Sequence, residues 1–309
     1  HSMNIPTVIG IGDEFLANIR PGEQALVDGF SGEVILEPDA GILSKLTAPQ
    51  EKSTDISEGT HTADGTHVSI YSADDPCAPL PEYADGIAVF GCPLLSDETK
   101  QYEYYRAIAE RTPDCRAIIR MPVISPKDPD RQVKYDQQIR AVFRAASHGE
   151  PGILFPMITS VPEARKILAA CDDAKMKLRA EGVKCSENVK IGFMVEIPAA
   201  AIISDCLAPM ADFFIIDSDS IARHTLACYE EDCFSPDFAD GQLEAVMRLI
   251  GNSARNAVKN GARIGICGSL AGDTSLTGDF LRMGIDNFCV TPDRLAEGRK
   301  RVTGGDLEV

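Results

Sequence analysis

The stretch Ile191-Gly-Phe-Met-Val-Glu-Ile-Pro-Ala-Ala200 is an apolar run of strand length that ends on a carboxylate and then meets a proline. Proline suits the first turn of a helix, where its missing N–H would have had no partner anyway. The stretch therefore reads as a strand, an acidic strand end and a helix start. The same order returns downstream: Asp212-Phe-Phe-Ile-Ile-Asp-Ser-Asp219 runs from apolar residues into an acidic cluster, and Gly265-Ile-Cys-Gly268 ends a short apolar run on a thiol.

Working outward, further runs of this kind alternate with helical stretches: Val68-Ser-Ile-Tyr71, Gly86-Ile-Ala-Val-Phe90, Ala117-Ile-Ile-Arg120, Ile153-Leu-Phe155 and Phe288-Cys-Val290. With Ile191–Val195, Phe213–Ile216 and Ile264–Ile266 they make eight. Near-continuous apolarity argues for strands buried on both faces, which parallel strands with helical crossovers achieve. Eight such units predict an α/β fold, a (β/α)8 TIM barrel.

The intervening segments fit. Ser160-Val-Pro-Glu163 has the spacing of a capping box and opens a helix from Ala164 to Ala180, with Ile167, Leu168 and Cys171 on one face. A second helix is expected from Gln242 to Lys259, stopping at Asn260-Gly261. Ile124 to Tyr135 reads as a loop before a helix through Ala146, and the prolines at 76, 79 and 81 break the first crossover.

Ahead of the barrel, Ile5–Gly10, Ala25–Asp28 and Gly32–Pro38 read as short strands between Pro/Gly turns, too little chain to bury a core alone. Residues 46–61 are polar and unpatterned, as a linker would be. The expected organisation is a small β-rich segment at 3–45, a linker at 46–61 and the barrel at 62–309.

A chain of 309 residues with 44% hydrophobic content can bury a sizeable core. Its formal charge of −17 and lack of basic runs argue against nucleic-acid or membrane-surface partners. No apolar run approaches the roughly 18 residues of a membrane helix. The ten cysteines include no C-x-x-C pair, so reduced thiols and a cytoplasmic location are expected. Cys228 and Cys233, the closest pair, have no second Cys/His pair at zinc-finger spacing.

In such barrels the residues just past the strand ends face the active site. That rule selects Arg120, Glu196, Asp217, Asp219, Cys267 and Ser269. Glu196 and Asp219 suit a hard divalent cation, since Mg²⁺ takes one or two carboxylates and completes its shell with water and ligand oxygens. The alternatives are structural: Glu196 can pair with Arg120, and Asp217 or Asp219 can cap a helix from Ile221 to Tyr229. Cys267 can be a small buried apolar group or a reactive thiol, its strand-end position favouring exposure. His67, His148 and His224 have no partner at nucleophile or metal spacing.

From about residue 62 onward the chain resembles the C-terminal barrel of enzyme I of the bacterial sugar phosphotransferase system, a phosphoenolpyruvate-protein phosphotransferase also similar to pyruvate phosphate dikinase. The blocks that carry the resemblance are Gln137–Ser147, Leu154–Ile158, Met194–Ala200, Asp212–Phe214 and Gly265–Asp273. Residues 5–38 are similar to the last strands of that family's swivelling phosphohistidine domain, whose phosphorylated histidine motif lies upstream of the matching segment. The resemblance implies a kinase-type transferase in which Glu196 holds Mg²⁺ (or Mn²⁺) on phosphoenolpyruvate, Arg120 clamps the ligand, and Cys267 supplies a proton at the enol carbon. Asp219 is the second metal ligand by this reading, with Asp217 and Ser218 beside the substrate. A homodimer and a phosphocarrier protein are the implied partners.

Several positions depart from the family pattern. Its Asn-Asp pair becomes Asp219-Ser220, its Arg-Thr-Glu-Phe becomes Gly91-Cys-Pro-Leu94, a further arginine corresponds to Glu230, and its Gly-x-Arg-x-x-Arg segment is shortened away between Pro126 and Tyr135. Each charge-assisted bond lost from an anion site costs about 2–3 kcal/mol. A ligand that is a small phosphorylated compound or oxoacid is thus expected, with phosphoryl transfer weakened or lost. The alternatives are metal-dependent enolate chemistry on pyruvate or another oxoacid, and a regulatory, partner-binding barrel.

Overall fold

The computed structural model describes residues 60–304 apart from 64, 74–79, 82, 96, 113–116, 150 and 229–242, together with 12, 15, 18–20, 22–27 and 34–39. The chain divides into two units, His1–Asp55 and Ile56–Val309. In the first, β1 (Ala25–Val27) pairs antiparallel with β2 (Val34–Leu36), Ala25 opposite Leu36. The strand expected at 5–10 lies outside the described residues.

The second unit is a closed barrel of eight parallel strands in the order β10-β3-β4-β5-β6-β7-β8-β9. The strands are β3 (Ser69–Ser72), β4 (Gly86–Val89), β5 (Ala117–Arg120), β6 (Gly152–Phe155), β7 (Ile191–Val195), β8 (Phe213–Asp217), β9 (Arg263–Cys267) and β10 (Asn287–Val290). All eight expected runs are strands, each end within one residue of its sequence limit.

Strand alternation sorts the apolar runs into two layers. Ile70, Val89, Ile119, Phe155, Phe193, Val195, Phe214 and Ile266 pack outward into the core shared with the helices. Their neighbours Tyr71, Ala88, Ile118, Leu154, Met194, Ile215, Cys267 and Cys289 form a separate cluster that fills the barrel. Both faces of the sheet are therefore dry, and this is why the runs look continuous in sequence.

The long crossover helices are α1 (Glu98–Arg111), α2 (Arg131–Ala145), α3 (Val161–Ala180) and α7 (Leu243–Lys259). Between β7 and β8 lie the short α4 (Pro198–Ile202) and α5 (Ser204–Leu207), and α6 (Ser218–Leu226) follows β8 directly. After β9 come α8 (Ser269–Gly272) and α9 (Thr277–Arg282), and α10 (Leu295–Thr303) closes the described chain.

Several expectations need correcting. Ser160 caps α3 by accepting from Glu163 N, but Glu163 reaches one residue further back than a capping box requires, accepting from Thr159 N at 2.8 Å. The loop expected to Tyr135 ends at Asp130, because α2 starts at Arg131. The end of the expected linker is ordered into the barrel unit: Thr60 is buried, Val68 N donates to Thr60 O at 2.8 Å, and His61 bridges to His67. Cys228 is disulfide-bonded, contrary to the expectation of reduced thiols. Glu230 and Cys233 fall outside the described residues. Among those residues, no helix is long and apolar enough to cross a membrane.

Candidate active site

The period of two that fills the barrel also builds its C-terminal mouth. Two residues beyond Met194 the inward position is Glu196, two beyond Ile118 it is Arg120, and two beyond Ile215 it is Asp217; Cys267 ends β9 opposite Asp217. Residues far apart in sequence therefore meet above one apolar plug.

Glu196 is only 3% exposed. Its Oε2 accepts from Arg120 Nη2 at 3.1 Å and its Oε1 from Met157 N at 2.5 Å. Arg120 is aimed by a second bond, Nε donating to Met194 Sδ at 3.0 Å. Met157 adopts φ +56°, a left-handed conformation unusual for a residue with a side chain. That turn presents its N–H to the carboxylate, and such strain clusters where function over-determines the backbone.

Asp217 caps α6: its Oδ1 accepts from the backbone N–H of Asp219 and of Ser220, and its Oδ2 accepts from Ser220 Oγ at 2.7 Å. The capping alternative thus holds for Asp217. Capping by Asp217 starts the helix at Ser218, three residues before the expected Ile221, and the helix ends at Leu226 because Ala227 turns left-handed at φ +53°. Asp219 is held across the β8–β9 boundary, its Oδ1 accepting from Ser269 N at 2.8 Å. Burial pushes its carboxyl above the ordinary aspartate range, and the neighbouring Asp217 charge adds to the shift.

Ser218, expected beside the substrate, is fully buried and serves as scaffold. Its Oγ accepts from Leu270 N at 3.2 Å and donates to Asp219 Oδ1 at 3.3 Å. Cys267 also differs from expectation. It is 4% exposed and belongs to the barrel plug, because the inward strand position outweighs the strand-end location. Burial drives its thiol well above the usual value, Asp217 and Asp219 push the same way, and Arg120 opposes them. Such a thiol keeps its proton at neutral pH.

Two participants escaped sequence reasoning. His224 Nδ1 lies 3.1 Å from Glu196 O and 2.7 Å from Ser220 O; with two carbonyl neighbours that nitrogen carries the proton, and the ring ties the β7 end to α6. Its position four residues after Ser220 was the only sequence signal. Met157 gave none, since a left-handed methionine has no compositional mark. No group of three or more His, Cys, Asp or Glu side chains at metal-binding distance occurs among the described residues. The donor chemistry of Glu196 and Asp219, two hard carboxylates on neighbouring strand ends, nonetheless fits an ion that needs only one or two protein ligands.

A cavity of about 650 Å³ opens at the opposite, N-terminal mouth, lined in part by His67, Asp85, Lys190, Asp212 and Arg263. Its aspartates are committed: Asp212 to Lys190 at 2.9 Å and Asp85 to Arg299 at 2.7 Å. In (β/α)8 enzymes that face serves stability, so the C-terminal mouth is the candidate site.

Fold and site together define a parallel (β/α)8 barrel with an acidic, arginine-bearing mouth. Residues 128–306 match the model of the PEP-utilising enzyme, PEP-binding domain. The chain belongs to that family. It is 28% identical to the phosphoenolpyruvate-protein phosphotransferase of Priestia megaterium over an alignment covering 97% of this chain and 60% of that protein. The Bacillus subtilis (strain 168) protein of the same name is 27% identical, with 98% of this chain and 60% of that protein covered. The chain thus spans about 60% of the length of these curated relatives. Among solved structures it is similar to a citrate lyase from Burkholderia xenovorans LB400, with TM-score 0.54, 15% identity and 77% of each chain covered. RipC from Yersinia pestis follows at TM-score 0.51 and 10% identity, covering 76% of this chain and 95% of that one. At these identities the two structures speak for the fold alone.

Proposed function

We propose that the C-terminal mouth binds a small oxoacid, phosphoenolpyruvate or a pyruvate-like compound, together with Mg²⁺, and that phosphoryl transfer from phosphoenolpyruvate is weakened relative to the family. The observation that carries this reading is the Arg120–Glu196 pair at 3.1 Å, a guanidinium and a carboxylate converging on one mouth, with Asp219 in the first turn of the helix that follows the next strand. Glu196 and Asp219 would hold the ion, which when bound stabilises negative charge on ligand oxygens. Arg120 offers a charge-assisted fork to the ligand carboxylate. Cys267, kept protonated by burial, would give its proton to the ligand's carbon or take it back.

The weakened transfer rests on the replaced positions: Gly91-Cys92 and Glu230 carry no positive charge where the family clamps phosphate. The relatives' name favours phosphoenolpyruvate as ligand, whereas Glu196, Asp219 and Cys267 would equally serve enolate chemistry on an oxoacid. A cytoplasmic homodimer meeting a phosphocarrier protein is the assembly the family suggests.

Calorimetry with phosphoenolpyruvate, pyruvate and oxaloacetate, with and without Mg²⁺ or Mn²⁺, tests the proposal. Metal-dependent binding of pyruvate or oxaloacetate, lost in Glu196→Gln and Asp219→Asn, is expected. Tight Mg²⁺-dependent phosphoenolpyruvate binding with transfer to the protein would overturn the weakened-transfer reading. Flat titrations with every ligand would leave a partner-binding barrel.

A further inference from the structure

The barrel is plugged at mid-height by Tyr71, Ile118, Ile215 and their inward neighbours, and it is hollow on the N-terminal side of that plug. One inward layer nearer the N-terminal mouth, β6, β7 and β9 carry Gly152, Gly192 and Gly265, which bring bare backbone to the wall. The Phe213 ring is seated on Gly152 and Gly192 and leaves no room for a Cβ on the latter. The cavity of about 650 Å³ lies beside that ring, within the range of small-molecule sites. Two of its lining residues are polar, deeply buried and without a full set of partners. Ser69 on β3 and Asn287 on β10 stand opposite each other in the strand register and are 5% and 7% exposed. Ser69 Oγ has no hydrogen-bond partner among the described residues, and the one side-chain bond of Asn287 there is to Cys289 Sγ, which donates to Oδ1 at 3.5 Å. Buried polar groups are ordinarily satisfied, so a pair left over and facing a cavity points to its contents. At the rim, two residues before Gly265, the exposed Arg263 makes no ion pair or hydrogen bond through its guanidinium among the described residues. Lys190, Asp212 and Asp85 at the same rim are paired, with Asp212, Lys190 and Arg299 respectively. Asp286 feels the charge of Arg263, yet its buried Oδ1 has no hydrogen-bond partner.

We propose that the N-terminal mouth is a second ligand site, which takes a hydroxylated aromatic carboxylate with its carboxylate on Arg263, its ring beside Phe213 and its hydroxyl between Ser69 and Asn287. The inference stands apart from the oxoacid reading of the opposite mouth, and it concerns binding, not catalysis. Each part of the ligand answers one feature of the cavity. The unpaired guanidinium at the rim supplies a charge-assisted fork for a carboxylate. The Phe213 ring and the apolar floor of Tyr71, Ile118 and Ile215 suit a flat apolar body, since aromatic rings pack edge-on or offset against one another. A hydroxyl both donates and accepts, so it satisfies the Ser69 hydroxyl together with the free end of the Asn287 amide. The spacing agrees as well. Arg263 lies one inward layer below Gly265, and Gly265 is register-paired with Asn287. Two residues of parallel strand span about 6.6 Å, close to the separation of the two substituents on a para-substituted benzene ring. An aliphatic dicarboxylate fits less well, because its second charge would meet the uncharged Ser69–Asn287 end above an apolar floor.

The test is calorimetry on the full chain with 4-hydroxybenzoate as probe and no added metal. One site per chain with a dissociation constant of about 1 mM or tighter is expected. Arg263→Gln should weaken the probe about tenfold, the loss of one charge-assisted bond, and should melt with the wild type because Arg263 is exposed. Asn287→Ala should weaken it about fivefold. Benzoate, which lacks the hydroxyl, should lose a similar factor against the wild-type protein and so reads the Ser69–Asn287 end even where the alanine variant does not fold. Asp219→Asn, altered at the opposite mouth, should bind the probe as the wild type does. No saturable binding in that concentration range would overturn the proposal. Binding unchanged in Arg263→Gln, or lost in Asp219→Asn, would overturn it too, by placing the probe elsewhere. Each of these results leaves the oxoacid reading of the C-terminal mouth to its own titrations.

Discussion

Gly268 stands against Asp219 with no room for a side chain. At φ +91°, a Cβ on Gly268 would lie 2.9 Å from Asp219 Cγ and 2.5 Å from Ser218 Oγ. The glycine thus sets both the turn out of β9 and the seat of the acidic residue in the first turn of α6. Gly268→Ala meets a left-handed conformation and a clash together, so a loss of about 1–3 kcal/mol is expected in urea unfolding. Mn²⁺ affinity should fall alongside it, as Asp219 is pushed off Ser269 N. An alanine variant with wild-type unfolding and wild-type Mn²⁺ titration would remove Gly268 from the site.

The Arg120–Glu196 pair should behave as a buried unit. Arg120→Met strands a buried carboxylate and is expected to cost about 3–5 kcal/mol, whereas replacing both residues by methionine should recover most of that loss. Denaturant unfolding of the two single variants and the double variant measures the coupling. Additive losses would show that the two side chains do not depend on each other.

Asp219 predicts a pH dependence with a defined sign. Its carboxyl is raised by burial, so between the ordinary aspartate range and that raised value the folded protein binds more protons than the unfolded chain. Its contribution to stability therefore falls as pH rises through that window. Asp219→Asn should flatten this part of the profile and melt higher than wild type at neutral pH without metal. Thermal melts from pH 4 to 7 compare the two directly; parallel curves would contradict the shift.

Cys267 should resist alkylation. It is buried among Met194, Ile215 and Cys289 and its thiol is raised by that burial, while Cys206 is exposed. Cys206 also has a raised thiol, from the Asp205 charge first, so access rather than ionisation separates the two. Iodoacetamide at neutral pH followed by mass spectrometry should show Cys206 modified about a hundredfold faster. Comparable rates would place Cys267 on an open surface and weaken its proposed role as a retained proton.

The barrel was legible because each of its strands is apolar on both faces, a pattern few other arrangements produce. Glu196, Arg120, Asp217 and Cys267 were legible as strand-end residues, and the Arg120–Glu196 pairing and the Asp217 cap were among the readings their positions allowed. Ser218, set beside the substrate by the resemblance alone, is buried by the first turn of α6 and accepts from Leu270 N. His224, read from sequence as having no partner, and Met157, not singled out at all, were missed for a different reason. Each acts through one atom, Nδ1 or a backbone N–H, whose direction depends on elements far away in the chain.

The sequence by itself determined the fold, the strand limits and which residues end each strand, since these follow from local periodicity and from what a dry sheet tolerates. Tertiary structure alone decided which strand-end groups face one another and which are spent on the scaffold. Closing eight strands into a barrel sets Arg120 of β5 against Glu196 beyond β7, and Asp219 against the turn after β9. Those pairings span 76 and 50 residues of chain, a separation over which no sequence pattern carries distance, so only packing could choose them.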